Sequence, residues 1–257
     1  MRGGILVRGA GYAPWLAACL FARFVPASLP VGVETGKGSG RNALIRPEDR
    51  RALAAIGVDS GALLQAQARR FHSWGGRFGH AIPFSDGKAD GFEVDGERYR
   101  SLLSRIARRA EVRERIEAPS LTVVVSDGAD LRISDLALGA ARLPAARREE
   151  FEHLCLVRGV MAVVFALPGE DPTTEEMAEM TRLSARHSAA VEDMLALLEG
   201  GEGSENLAHR KALFRACGRV APFDDDPFGR SEWHVALLKM CGQPEDHALI
   251  AGRTGRG

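Results

Sequence analysis

The sequence predicts an α/β fold with a mixed β-sheet and an all-helical C-terminal part, and three observations predict it. Residues 4–34 read as strand, tight glycine turn, helix and second strand. Residues 121–138 read as two β-branched runs around Asp127-Gly128, a hairpin signal. Beyond residue 145 only helical periodicity remains, over 147–167, 173–199, 207–217 and 231–240. The expected division is an α/β domain over 1–145, a helical region over 146–250 and a flexible tail over 251–257.

Each element has a local reason. Gly4 to Val7 is a short apolar run, Gly9-Ala10-Gly11 turns the chain, Trp15 to Phe24 carries apolar residues at helical spacing, and Val31 to Glu34 is again strand-like. This is the Rossmann-like opening of a dinucleotide-binding unit. Pro47 to Ile56 has proline at an early helical position and Gly57 just past the end, so a short helix is expected there. Strand-like pieces surround Phe78 to Phe84 and Gly91 to Val94. From Glu97 to Ala110, residues Tyr99, Leu102, Leu103, Ile106 and Ala110 form one apolar stripe with arginines opposite, an amphipathic helix.

Composition narrows the function. The 34 Lys+Arg balance the 34 Asp+Glu over 257 residues, so there is no global attraction to nucleic acid or to an anionic membrane. No stretch approaches the ~20 apolar residues of a membrane span. Four well-separated cysteines, Cys19, Cys155, Cys217 and Cys241, with no Cys-x-x-Cys, predict reduced thiols and a cytoplasmic setting. Only Lys37, Lys88, Lys211 and Lys239 stand against thirty arginines, so amine chemistry has few candidates.

The candidate cofactor site is Gly9, Gly11, Pro14, Trp15 and Glu34. Gly9 allows a tight exit from the strand, Gly11 lets backbone approach a pyrophosphate, and the following helix N-terminus offers free N–H groups to that anion. Glu34 sits where a carboxylate accepts from ribose hydroxyls. The third position of the Gly-x-Gly-x-x-Gly pattern is Pro14, which a first helical turn tolerates but which adds bulk and removes one donor. His72, Trp74 and His80, among Arg69, Arg70 and Arg77, form a candidate aromatic and cationic substrate wall or else a polar loop. No metal is expected, since two histidines there have no third ligand. Asp224-Asp225-Asp226 reads as a solvated turn, and Glu152 with His153 and Asp193 with His187 are weak acid–base pairs. The helical-half methionines, Met194 among them, read as core filling.

The turn Gly9-Ala10-Gly11-Tyr12-Ala13-Pro14-Trp15 resembles that of the flavin-dependent tryptophan halogenases, with Trp15 the distinctive element. Glu48 to Asp59, with Ala55-Ile56-Gly57-Val58 before the aspartate, and Val94 to Tyr99 resemble later segments of that family. Lys211 to Gly218, Asp226-Pro227-Phe228, Trp233 and Gly242-Gln243-Pro244 resemble its C-terminal order Leu-Phe, Gly, Phe, Trp, Gly, Pro. The resemblance implies an oxidoreductase that binds FAD, receives it reduced from a separate flavin reductase, and uses O2 to oxidise halide or oxygenate an aromatic, tryptophan-like substrate. Typical members are about twice as long. The family's Trp-x-Trp-x-Ile-Pro motif is absent, as is its lysine between the flavin and substrate compartments, where this chain has Arg69 and Arg70. An arginine stays charged and is a poor nucleophile, so it cannot replace that amine. Two other readings stay open: a non-catalytic relative that binds a ligand or partner, and a simple NAD- or nucleotide-binding module.

Overall fold

The computed structural model describes residues 3–36, 38, 40–72, 90–117, 119–125, 131–133, 136–138, 148–167, 173–220 and 226–242. β1 (Ile5–Ala10) is the middle of three parallel strands in a five-stranded mixed sheet of order β2 (Val31–Gly36), β1, β6 (Leu121–Val125), β7 (Leu131–Ile133) and β8 (Leu136–Leu138). It runs parallel to β2 on one side and to β6 on the other, with Val7 in register with both Val33 and Val123. Ile5, Leu6 and Val7 are all buried because both faces of this strand are covered, which is why the run is uniformly apolar rather than alternating. The expected hairpin then extends the sheet as antiparallel β7 and β8. The outer edge of β2 is not left open: Arg113 N–H donates to the Val31 carbonyl at 2.9 Å and the Arg113 carbonyl accepts from Val33 N–H at 2.8 Å.

Helix α1 (Ala13–Phe24) crosses from β1 to β2 and buries Leu16, Ala17, Leu20 and Phe21 against the sheet. The expected short helix begins as a 3-10 turn (Pro47–Asp49) and continues as α2 (Arg50–Ala55), stopped at Gly57, whose φ of +84° is left-handed. Three elements were not apparent in the sequence: β3 (Ala43–Ile45), α3 (Ser60–Gln65) and β4 (Arg69–His72). β3 and β4 flank β5 (Asp90–Val94) in a separate antiparallel sheet, β3-β5-β4, centred on buried Phe92. Helix α4 (Gly96–Arg109) starts at Asp95, whose carboxylate accepts from Arg98 N–H at 3.0 Å, and it buries the predicted Tyr99, Leu102 and Leu103.

The remaining helices are α5 (Arg148–Ala166), α6 (Thr174–Glu199), α7 (Glu205–Cys217) and α8 (Arg230–Cys241). α5 joins two cores. Leu156, Val157, Val160 and Val163 pack with α1 and the sheets, whereas Leu154, on another face, packs with Val191, Met194, Leu207, Phe214 and Trp233 of the helical half. Two buried faces are the reason the helix is apolar nearly all round. Residues 73–89, 139–147 and 243–257 lie outside the described residues, and with them the predicted strand around Phe78 to Phe84 and the tail.

Candidate functional site

The glycine turn lies at the C-terminal end of β1, where ligands bind in open α/β sheets. Gly11 has φ +69°, a left-handed conformation that any side chain would strain. Gly9 has a different reason: a β-carbon there would come within 2.0 Å of the Val125 carbonyl oxygen, so glycine allows the close approach of β1 and β6. Tyr12 precedes α1, no side chain caps the first turn, and Pro14, buried at its second position, contributes no N–H. Pro14 also fills space beside Gly9, with its Cγ 3.4 Å from where a Gly9 β-carbon would sit. The Trp15 indole N–H is buried without a hydrogen-bond partner among the described residues.

Glu34 lies within β2, in register with Arg8 of β1, and accepts from the Arg8 Nε–H at 2.8 Å. Both side chains are about half exposed, so the carboxylate predicted for a ribose is already engaged with a cation.

Chain from beyond β2 returns onto the turn. A β-carbon on Gly38 would meet the Gly11 Cα at 2.3 Å and its nitrogen at 2.6 Å, and one on Gly96 would meet the Arg41 carbonyl oxygen at 2.1 Å. The space left between Gly11, Tyr12, Gly40, Arg41, Gly96 and Glu152 is about 10 Å3, enough for a single water. In the donors it presents, a left-handed glycine and an uncapped helix start, the turn fits a dinucleotide pyrophosphate. In the room it leaves, it admits one only when Gly38 and the Gly40–Arg41 stretch have moved aside.

Behind Tyr12 lies a buried polar chain that the sequence did not announce. His153 Nδ1 is 2.7 Å from Asp49 Oδ2, His153 Nε2 is 3.0 Å from the Tyr99 hydroxyl, and all three residues are fully buried. A carboxylate only accepts, so Nδ1–H donates to Asp49. Burial pushes the Tyr99 phenol well above its ordinary pKa, with Tyr12 and Asp49 adding to the shift, so it stays an O–H, hydrogen-bonded to Nε2. The Tyr12 ring lies 5.3 Å from Tyr99 and 6.3 Å from His153, nearly stacked on the imidazole. Among the described residues Asp49 Oδ1 has no hydrogen-bond partner. His153 thus pairs with Asp49 rather than with its neighbour Glu152, because adjacent residues on a helix point in different directions.

Other expectations are revised. Asp226 is not solvated: it is buried, bonded to Arg210 at 2.6 Å, to the Trp233 indole N–H at 2.8 Å and to Phe228 N–H at 3.0 Å, with the Arg210 guanidinium 4.2 Å from the Trp233 ring. Asp193 accepts from Ser204 N–H and Oγ–H instead of pairing with His187. His72 ends β4 opposite Asp90, while Trp74 and His80 lie outside the described residues. Arg69 and Arg70 are exposed on β4, the Arg70 guanidinium 5.9 Å from the Phe92 ring. Among the described residues no three His, Cys, Asp or Glu gather to hold a metal, and no helix is long and apolar enough to cross a membrane. All four cysteines are free thiols.

No family model and no curated protein matches the sequence. Solved structures do match. The flavin-dependent halogenase Xcc4156 from Xanthomonas campestris superposes with a TM-score of 0.68 at 13% identity, over 95% of this chain and 90% of that one. This chain has the flavin-dependent halogenase fold. BrvH, a flavin-dependent halogenase from Brevundimonas sp. BAL3, gives 0.68 at 13% identity, covering 98% of this chain and 92% of its own. The tryptophan 6-halogenase SttH from Streptomyces toxytricini gives 0.64 at 8% identity, covering 99% and 95%. The glycine turn of this chain sits at the C-terminal mouth of its parallel strands.

Proposed function

We propose that this chain is a flavoprotein of the halogenase fold that binds FAD at the glycine turn. The observation that carries the reading is Gly11, left-handed at the uncapped start of α1 and at the end of the central parallel strand. Gly9, Gly11 and the start of α1 hold the pyrophosphate, with Pro14 and Trp15 flanking it, and Glu34, turned from Arg8, takes the ribose. Bound there, a reduced flavin supplied by a separate reductase brings O2-dependent oxidation of halide or of an aromatic substrate. His72, Trp74 and His80 are the proposed substrate wall. No lysine-borne halogen transfer is proposed, because Arg69 and Arg70 carry no free amine. Four free thiols support a cytoplasmic setting.

A second reading has an observation of its own. The Gly38 backbone against Gly11, and the one-water cavity beside it, favour a non-catalytic relative that keeps the shell of the fold and acts by binding a ligand or partner.

Titration of the purified protein with oxidised and then reduced FAD, followed by flavin fluorescence and calorimetry, separates the two. Stoichiometric binding that Gly11→Trp abolishes supports the flavoprotein, and halide-dependent product formation with a reductase then tests catalysis. No binding of either redox form overturns it in favour of the second reading.

A further inference from the structure

The buried chain behind the glycine turn crosses four separate pieces of the fold. Asp49 comes from the 3-10 turn after β3, Tyr99 from the first turns of α4, His153 from α5, and Tyr12 from the glycine turn itself. Side-chain carboxylates and imidazoles are rarely placed at full burial unless paired, and this chain satisfies the imidazole at both nitrogens. An apolar trio would fill the same space without the desolvation cost of the carboxylate. One carboxylate oxygen has no partner among the described residues, so the arrangement is not optimised for stability alone.

Its position suggests a use. Tyr12 is the residue directly after Gly11, and its ring rests on both Tyr99 and His153. Tyr12 also borders the small cavity at the turn, together with Gly96, three residues before Tyr99, and Glu152, directly before His153. Of the residues that line this cavity, Tyr12 contacts the hydrogen-bonded chain by its ring, and Gly96 and Glu152 belong to the helices that carry Tyr99 and His153.

We infer that Tyr12, Tyr99, His153 and Asp49 are the positioning residues of the glycine-turn cleft, fixing the turn by a hydrogen-bonded chain through which occupation of the cleft is felt at α5. The inference rests on the reading of that cleft as an FAD site. None of the four is assigned a chemical step; Tyr99 and His153 act through Tyr12.

The test uses the full chain with 15N-labelled histidine and oxidised FAD as probe. On titration both His153 ring-nitrogen resonances shift along the same isotherm as flavin fluorescence. Tyr99→Phe keeps the ring and removes the hydroxyl; it weakens FAD binding by roughly tenfold, the size expected when one hydrogen bond is lost from a site. Asp226→Asn, which strikes the separate C-terminal core, leaves the affinity unchanged. The inference is overturned if wild-type protein binds FAD while the His153 resonances stay fixed, or if Tyr99→Phe binds as tightly as wild type. Should Tyr99→Phe fail to fold, the wild-type titration decides by itself. If wild-type protein binds no FAD, the flavoprotein reading falls and this inference with it, a result distinct from binding without a response at His153.

Discussion

Gly38 and Gly11 touch backbone to backbone, so closely that a β-carbon on Gly38 would stand 2.3 Å from the Gly11 Cα. Two glycines distant in function are therefore tied together: one makes the turn, and the other lets the chain after β2 cover it.

The cover makes an unusual substitution informative. Gly38→Ala cannot keep the present contact, and its cheapest relief is to lift this segment off the turn. FAD affinity is expected to rise, by roughly tenfold if the covering contact is worth about 1.4 kcal/mol. Calorimetry on the variant checks this, and a loss of affinity would mean that Gly38 belongs to the bound form instead.

The Arg8–Glu34 pair is solvent-facing, so Arg8→Ala changes global stability by no more than about 0.5 kcal/mol. It does free the Glu34 carboxylate. Denaturant melts should be superimposable with wild type, while affinity for the unphosphorylated ribose of FAD increases; unchanged affinity would remove Glu34 from the site.

In the helical half, Asp226 ties α7 to α8 through Arg210 and Trp233. Asp226→Ala removes the carboxylate that Arg210 and the Trp233 indole N–H share and is expected to cost about 3 kcal/mol, read from urea unfolding. A cost below about 1 kcal/mol would show that the pair is screened in solution.

Burial pushes the thiols of Cys19 and Cys155 up to about 12 from an ordinary 9.0, with Asp49 and Glu152 adding to the shift at Cys155. The folded state holds these protons after the unfolded chain has released them. Stability is therefore intact below pH 9 and falls as pH rises from 9 toward 12, by up to about 1.4 kcal/mol per pH unit for each thiol. Alkylation of native protein at pH 9 should spare Cys19, and rapid labelling of it would contradict its burial.

The sequence by itself determined the βαβ opening, the β6–β8 hairpin, the face that α4 buries and four C-terminal helices, because each is a local pattern of period or of turn chemistry that a few neighbouring residues carry. It also marked Gly11 correctly as a turn residue. It did not reveal β3 and β4, whose three or four residues have too few positions to display a period and owe their pairing to β5 between them. Nor did it reveal the use of Asp226, whose run of acids looks solvated until Arg210 and Trp233 are brought to it. The site divides the same way. Which residues could make a dinucleotide turn was legible. That Gly38 covers it, that Arg8 engages Glu34, and that Asp49, Tyr99 and His153 meet behind Tyr12 were decided only by tertiary structure, because those pairs lie 26 to 104 residues apart and no spacing rule connects them.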